Sequence, residues 1–143
     1  MTPHLFVKDA ACAIDFHKQV FGATERMRFA MPGGAIGDAE LAIGDSAIML
    51  AEEFPAMNAL SPQSVGGTPV MIQLYVEDVD AVFNRAIAAG ARALQPPQDK
   101  FYGDRSASIP DPFGHQWGIA TRRESLTVEE IGKRAVEMFK KGA

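Results

Sequence analysis

The sequence predicts an α+β fold of two βαβββ modules, each curling an antiparallel sheet around a cavity, with one helix appended at the C-terminal end. Three observations carry this expectation. First, Val7-Lys8-Asp9 followed by Ala13-Ile14 recurs as Val76-Glu77-Asp78 followed by Val82-Phe83, an offset of 69 residues. Second, the two helix patterns end alike, at Gly22-Ala23 and Gly90-Ala91, 68 residues apart, and the 69-residue offset carries Ile48-Met49-Leu50-Ala51 onto Trp117-Gly118-Ile119-Ala120. Similar ends at nearly one spacing are the signature of a duplicated unit. Third, Asp111-Pro112-Phe113-Gly114 is a tight reversal, with Pro112 presetting φ and Gly114 free to take φ > 0. The strand after it alternates, placing Gln116, Gly118 and Ala120 on one face and Trp117 and Ile119 on the other.

The elements follow in order. Residues 3–7 alternate as a strand, with Leu5 and Val7 on one face and Thr2, His4 and Phe6 on the other. Asp9 can cap a helix over about 10–21 that stops at Gly22 and packs Ala13, Phe16 and Val20 on the sheet. His17 borders that stripe and reads as a partly buried, hydrogen-bonded helix histidine rather than a catalyst. Strands are expected over 24–31, 35–43 and 46–51, turning at Pro32-Gly33-Gly34 and Gly44-Asp45. In the third strand Leu41 and Ile43 share a face, leaving Asp38 and Glu40 on the other; Glu40 is either solvated or, if the sheet curves around a pocket, aimed into it. Residues 52–67 mix Pro, Gly and Ser without a period, as a mobile linker would.

The second module, about 68–121 against 3–51 for the first, begins with a strand over 69–76. Asp78 caps a helix running to about Ala89, and a strand over 91–95 is broken by Pro96-Pro97. Tyr102-Gly103-Asp104-Arg105 reads either as a loop held by a local Asp–Arg contact or as a pocket rim that orients a polar ligand. Beyond the repeat, Thr127 and Glu130 form a capping box, and Leu126 can touch Ile131 as a staple. A helix over about 128–141 therefore presents Val128, Ile131, Ala135 and Met138 as one apolar stripe, to be buried on its own sheet or on a partner subunit.

Composition excludes several function classes. A chain of 143 residues with 47% hydrophobic residues can bury a core as one domain spanning 1–143. The formal charge of -4, with Lys and Arg spread singly, provides no basic patch for nucleic acid or an anionic membrane. With no charged leader and no apolar run near the length of a membrane span, the chain is expected to be soluble and cytoplasmic. The lone Cys12 sits on the first helix as a small packed side chain.

Taken together, the paired modules, the opening Pro3-His4-Leu5-Phe6-Val7-Lys8-Asp9, the run Phe101-Tyr102-Gly103-Asp104-Arg105 and the turn Asp111-Pro112-Phe113-Gly114-His115 resemble the vicinal-oxygen-chelate superfamily of glyoxalases, bleomycin-resistance proteins and dioxygenases. Over about residues 2–121 the chain is most similar to its PhnB-like branch. The resemblance implies a cavity that takes a small molecule, and a homodimer that pairs modules across chains. In family members that chelate metal, four inward His, Gln or Glu side chains do so. Carried onto this sequence, those positions are Thr2, Met49, Met71 and Gly118. None suits a divalent ion, since glycine has no donor and thioethers prefer soft metals.

Two function classes remain. One is a metal-free binding protein, with no cofactor, that sequesters a drug or metabolite in a cavity lined by Phe6, Met49, Met71 and Tyr75, with His4, Glu40 and Gln73 as polar anchors. Tyr102, Arg105 and Gln116 complete the candidate ligand-binding set. The other is a glyoxalase-like lyase or isomerase, using either Glu40 or His4 as general base or a divalent metal displaced onto His4, Glu40 and Gln73, with Gln116 nearby. Arg105 is also the expected counter-ion of Glu40 should that carboxylate be structural.

Overall fold

The computed structural model describes residues 1–142. Module 1 contains β1 (His4–Val7), α1 (Ala10–Phe21), β2 (Thr24–Ala30), β3 (Ile36–Ile43) and β4 (Ser46–Glu52). A connection carrying a 3-10 turn (Pro55–Met57) and a single-turn helix α2 (Pro62–Val65) leads to module 2. There β5 (Met71–Tyr75) and α3 (Val79–Ala88) precede β6 (Gln95–Asp99), β7 (Asp104–Pro110) and β8 (Gln116–Arg122). The last helix is α4 (Val128–Gly142).

The modules form two four-stranded sheets, ordered β1-β4-β3-β2 and β5-β8-β7-β6. The three later strands of each module are an antiparallel meander, but the helix after the first strand carries the chain across the sheet. That crossover sets β4 parallel to β1 and β8 parallel to β5, so both sheets are mixed. Alternation buries Leu5, Val7, Leu41, Ile48 and Leu50 of the first sheet beneath α1. In the second sheet Trp117, Ile119 and Ile109 are buried and Leu74 packs against them. Each such side chain stabilises the fold by about 1.5–3 kcal/mol. The modules meet through α1 and α3 and an aromatic cluster in which Trp117 lies 4.4 Å from Phe21 and 5.3 Å from His17 between ring centroids.

Both helix starts are doubly capped. Asp9 and Asp78 accept from Cys12 N and Ala81 N, as their position before each helix predicts. In addition, Glu52 at the end of β4 accepts from Asp9 N at 2.8 Å and Ala10 N at 2.9 Å, while Thr121 at the equivalent point of β8 accepts from Val79 N at 2.9 Å. The Asp111 turn is more than a reversal. Its buried carboxylate accepts from Phe113 N, His115 N and the Trp117 indole, all within 3.0 Å, and so ties the turn to the core.

Three expectations need correction. Residues 52–67 are not featureless: Glu53 accepts from Ser61 N and the Ser64 hydroxyl, and this fastens α2. The sixth strand begins at Gln95 and runs through Pro96-Pro97 rather than ending there. It is an edge strand paired only with β7, and its register shifts between Gln95 and Gln98, so the missing proline amides cost no ladder bond. The helix α4 has its capping box, with Thr127 and Glu130 bonded reciprocally at 3.2 Å. Its Met138 reaches the cavity over the second sheet beside Met71 and Ser106. Among the described residues no Cα of α4 comes within 8 Å of another helix or strand. The third correction is Cys12, which is exposed on α1 rather than packed.

Candidate ligand site on the open sheet faces

Each sheet has one face against its helix and one face uncovered. On the first sheet the uncovered face carries His4, Phe6, Asp38, Glu40 and Met49, with Met27 and Phe29 of the edge strand β2 beside them. On the second it carries Met71, Gln73, Tyr75, Ser106, Ser108, Gln116 and Gly118. A water-facing sheet is ordinarily polar, yet here Phe29, Met71 and Tyr75 are 49%, 45% and 51% exposed.

On the first sheet, His4 stacks on Phe6 with centroids 4.6 Å apart and sets Nε2 3.4 Å from Asp38 Oδ1. Glu40 is the cross-strand partner of Met49, which in turn is the partner of His4. His4 and Glu40 thus stand two strands apart, roughly 10 Å between backbones. The cation facing Glu40 is Arg26, at 3.9 Å, not Arg105. Arg105 points to the helix side of the second sheet, where it donates to Asp80 at 2.8 and 2.9 Å and to Asp99 at 3.3 Å. This pairing holds the Asp80 carboxyl below its ordinary range.

Nor do Asp104 and Arg105 pair locally, because neighbours on a strand face opposite ways. Asp104, 4% exposed, accepts from the Tyr75 hydroxyl at 2.7 Å and lies 3.6 Å from Arg122, whose guanidinium sits 5.3 Å from the Tyr75 ring centroid. The bond to Asp104 raises the Tyr75 phenol above its usual range. Met71, Gln73 and Tyr102 share a cavity of about 440 Å³ with Ser106, Ser108 and Met138. Gln116 stands opposite Met71 at its outer side.

Asp104 belongs to the run that the sequence marks as a candidate pocket rim, whereas nothing in the sequence marks Arg122 or Met138 for the site. Asp38 had a signal in its alternation with Glu40, whereas the Tyr75–Asp104 contact joins strands separated by β8 and has none.

Within one chain the donors of a displaced metal site do not converge. His4 and Glu40 lie on one sheet and Gln73 on the other, and among the described residues no strand of one sheet approaches the other within 8 Å, Cα to Cα. No cluster of three or more His, Cys, Asp or Glu side chains able to hold an ion occurs among the described residues. Gly118, at a position that would need a donor, is overlaid by Gln73: a Cβ there would collide with Gln73 Oε1 and lie 3.0 Å from Met71 Sδ.

The repeat, the paired mixed sheets and the position of the Asp111 turn set the frame for comparison with known proteins. The family model for the glyoxalase/bleomycin resistance protein/dioxygenase superfamily matches residues 2–119. The chain belongs to that superfamily. An uncharacterized protein of Mycobacterium bovis is 42% identical over 134 residues, covering 92% of this chain and 88% of its own length. The crystal structure of TioX from Micromonospora sp. ML1 superposes with a TM-score of 0.68 at 32% identity, over 85% of this chain and 97% of that one. The fosfomycin resistance protein FosX of Listeria monocytogenes, solved with Mn(II) and sulfate, shares the fold with a TM-score of 0.68 at 22% identity, over 94% and 95% of the two chains. No helix among the described residues is long and apolar enough to cross a membrane.

Proposed function

We propose that the chain is a metal-independent small-molecule-binding protein of the glyoxalase/bleomycin-resistance type, from the PhnB-like branch, that sequesters a drug or metabolite in the cytoplasm as a homodimer. The observation that carries this reading is the pair of uncovered faces, apolar and polar by turns, which the chain leaves open on both sheets. A second copy brings the first sheet of one chain over the second sheet of the other, so that His4, Phe6, Glu40 and Met49 close a cavity with Met71, Gln73 and Tyr75. An apolar cavity with a few convergent polar groups is what small-molecule recognition needs.

The donor chemistry supports metal independence. Thr2, Met49, Met71 and Gly118 offer no carboxylate or imidazole, and the Gln73 amide occupies the space above Gly118. Protein purified without chelators is expected to carry an organic compound, visible by mass spectrometry, and no stoichiometric zinc, nickel, manganese or iron. A stoichiometric ion lost on His4→Ala overturns the proposal in favour of the displaced metal site.

A second reading is favoured by one contact. Asp38 lies 3.4 Å from His4 Nε2 on the open face, an arrangement that could orient the imidazole as a general base in a lyase or isomerase. Incubating the protein with its co-purified compound separates the two. Recovery of the compound unchanged supports sequestration; conversion that stops in His4→Ala establishes the enzyme.

A further inference from the structure

The cavity over the second sheet has a composition of its own. Its floor offers three carboxamides, Gln73 at the centre over Gly118 and Gln95 and Gln98 on the edge strand, and two hydroxyls, Ser106 and Ser108, with no ionisable group among them. Its sides are apolar and polarisable: Met71 from the floor, Phe101 and Tyr102 from the loop before β7, and Met138 reaching down from α4. Among the described residues that one chain contributes, the only charges are Asp99 and Lys100, which are opposite in sign, and Asp99 is already engaged by Arg105 at 3.3 Å.

Against these walls of the second sheet, a carboxylate or phosphonate would shed its water beside a single lysine, and an ammonium beside a carboxylate already paired; both are costly. A flat neutral ring loses nothing of that kind. Its faces meet aromatic and thioether surfaces, and its polar edge meets amide and hydroxyl groups that can both donate and accept.

Gly118 sets the depth. Because it has no Cβ, the Gln73 side chain lies down over it, where any larger residue would lift the amide into the cavity.

We infer that this cavity is the subsite for a neutral, planar aromatic group bearing an amide or hydroxyl, with Gln73 as the recognising side chain. The inference rests on the small-molecule reading above and narrows it to one chemical class.

The test uses full-length protein carrying carbon-13 in its methionine methyl groups, titrated with 2-naphthamide, 2-naphthoate and 2-naphthylmethylammonium. The Met71 and Met138 methyl resonances should move with the amide at concentrations at least tenfold below either charged probe. Gln73→Ala should weaken the amide roughly tenfold, as loss of a hydrogen bond does, and leave the charged probes as they were. If a charged probe binds equally or more tightly, the neutral class is wrong while binding at this site stands. Movement of neither resonance with any probe overturns the inference, and the co-purification experiment then decides the wider reading independently. An unchanged amide affinity in Gln73→Ala removes Gln73 from its role.

Discussion

The two modules share a backbone plan and differ in chemistry at matched positions. Along the 69-residue repeat, His4 of module 1 answers to Gln73 of module 2, Met49 to Gly118, His17 to Ala86 and Glu52 to Thr121. By strand register Glu40 faces Met49 as Ser108 faces Gly118, and Asp38 corresponds to Ser106. At these matched positions module 1 therefore presents ionisable groups and module 2 neutral ones, the charges of module 2 being confined to Asp104 and Arg122 at the end of the face beside Tyr75. Duplication conserves the scaffold because the helix-facing alternation holds it, while the uncovered face is free to diverge.

The turns differ most in what holds them, and the largest expected effect lies there. The β7–β8 turn depends on Asp111, which satisfies three donors in the core, whereas the Gly44-Asp45 turn between β3 and β4 is two residues long. Asp111→Ala should cost about 3 kcal/mol or more in urea denaturation, because two amides and the Trp117 indole lose their acceptor. Asp45→Ala should stay within about 0.5 kcal/mol. Equal losses at the two turns would break the contrast.

The helix starts come next. Glu52→Ala removes two bonds to the first amides of α1 and should cost about 1–2 kcal/mol. Thr121→Val removes the bond accepted from Val79 N and the one the hydroxyl donates to Val76 O at 2.9 Å, both neutral and so weaker than bonds to the Glu52 carboxylate, and should cost about 1 kcal/mol. A larger loss at Thr121 would reverse the ranking.

The third difference is pH-dependent. His17 is 1% exposed, its Nδ1 bonds Ala13 O at 2.7 Å, and its Nε2 has no partner. Burial chiefly holds its pKa below the ordinary histidine value of 6.5, an effect offset in part by the Ala13 bond and Asp111 and reinforced by His115. The unfolded chain thus takes up a proton first as pH falls. Stability should be undiminished by this residue above 6.5 and decline below it towards the folded pKa. His17→Leu should flatten the melting-temperature profile between pH 7 and 5, roughly the window named by ordinary histidine titration; an unchanged slope would assign acid lability elsewhere. The smallest effect is expected at Glu40. Its contact with Arg26 is long and partly exposed, so Glu40→Gln should change stability by less than about 0.5 kcal/mol.

The fold was legible because its signals are local and repeated. Asp9 and Asp78 mark the helix starts, Leu5/Val7 and Trp117/Ile119 mark the buried faces, and Thr127 with Glu130 marks the last helix. The site was legible only as far as alternation reaches: it placed His4, Glu40, Gln73 and Met71 on open faces. It could not say that Arg105 turns to Asp80, that Asp104 holds Tyr75, or that β6 threads two prolines along an edge, since each depends on which strand lies next to which. The α4 stripe was equally plain in sequence, yet its cover is not a local property. Val128 and Phe139 remain 83% and 68% exposed.

The central claim is that the two unlike walls meet across chains around a small molecule and without a metal. Native mass spectrometry of protein purified without chelators tests it most directly. The account predicts an assembly of two chains that carries an organic adduct, released on denaturation, and no bound metal. A single chain at every concentration, or a dimer holding one divalent ion per chain in place of the adduct, would contradict it.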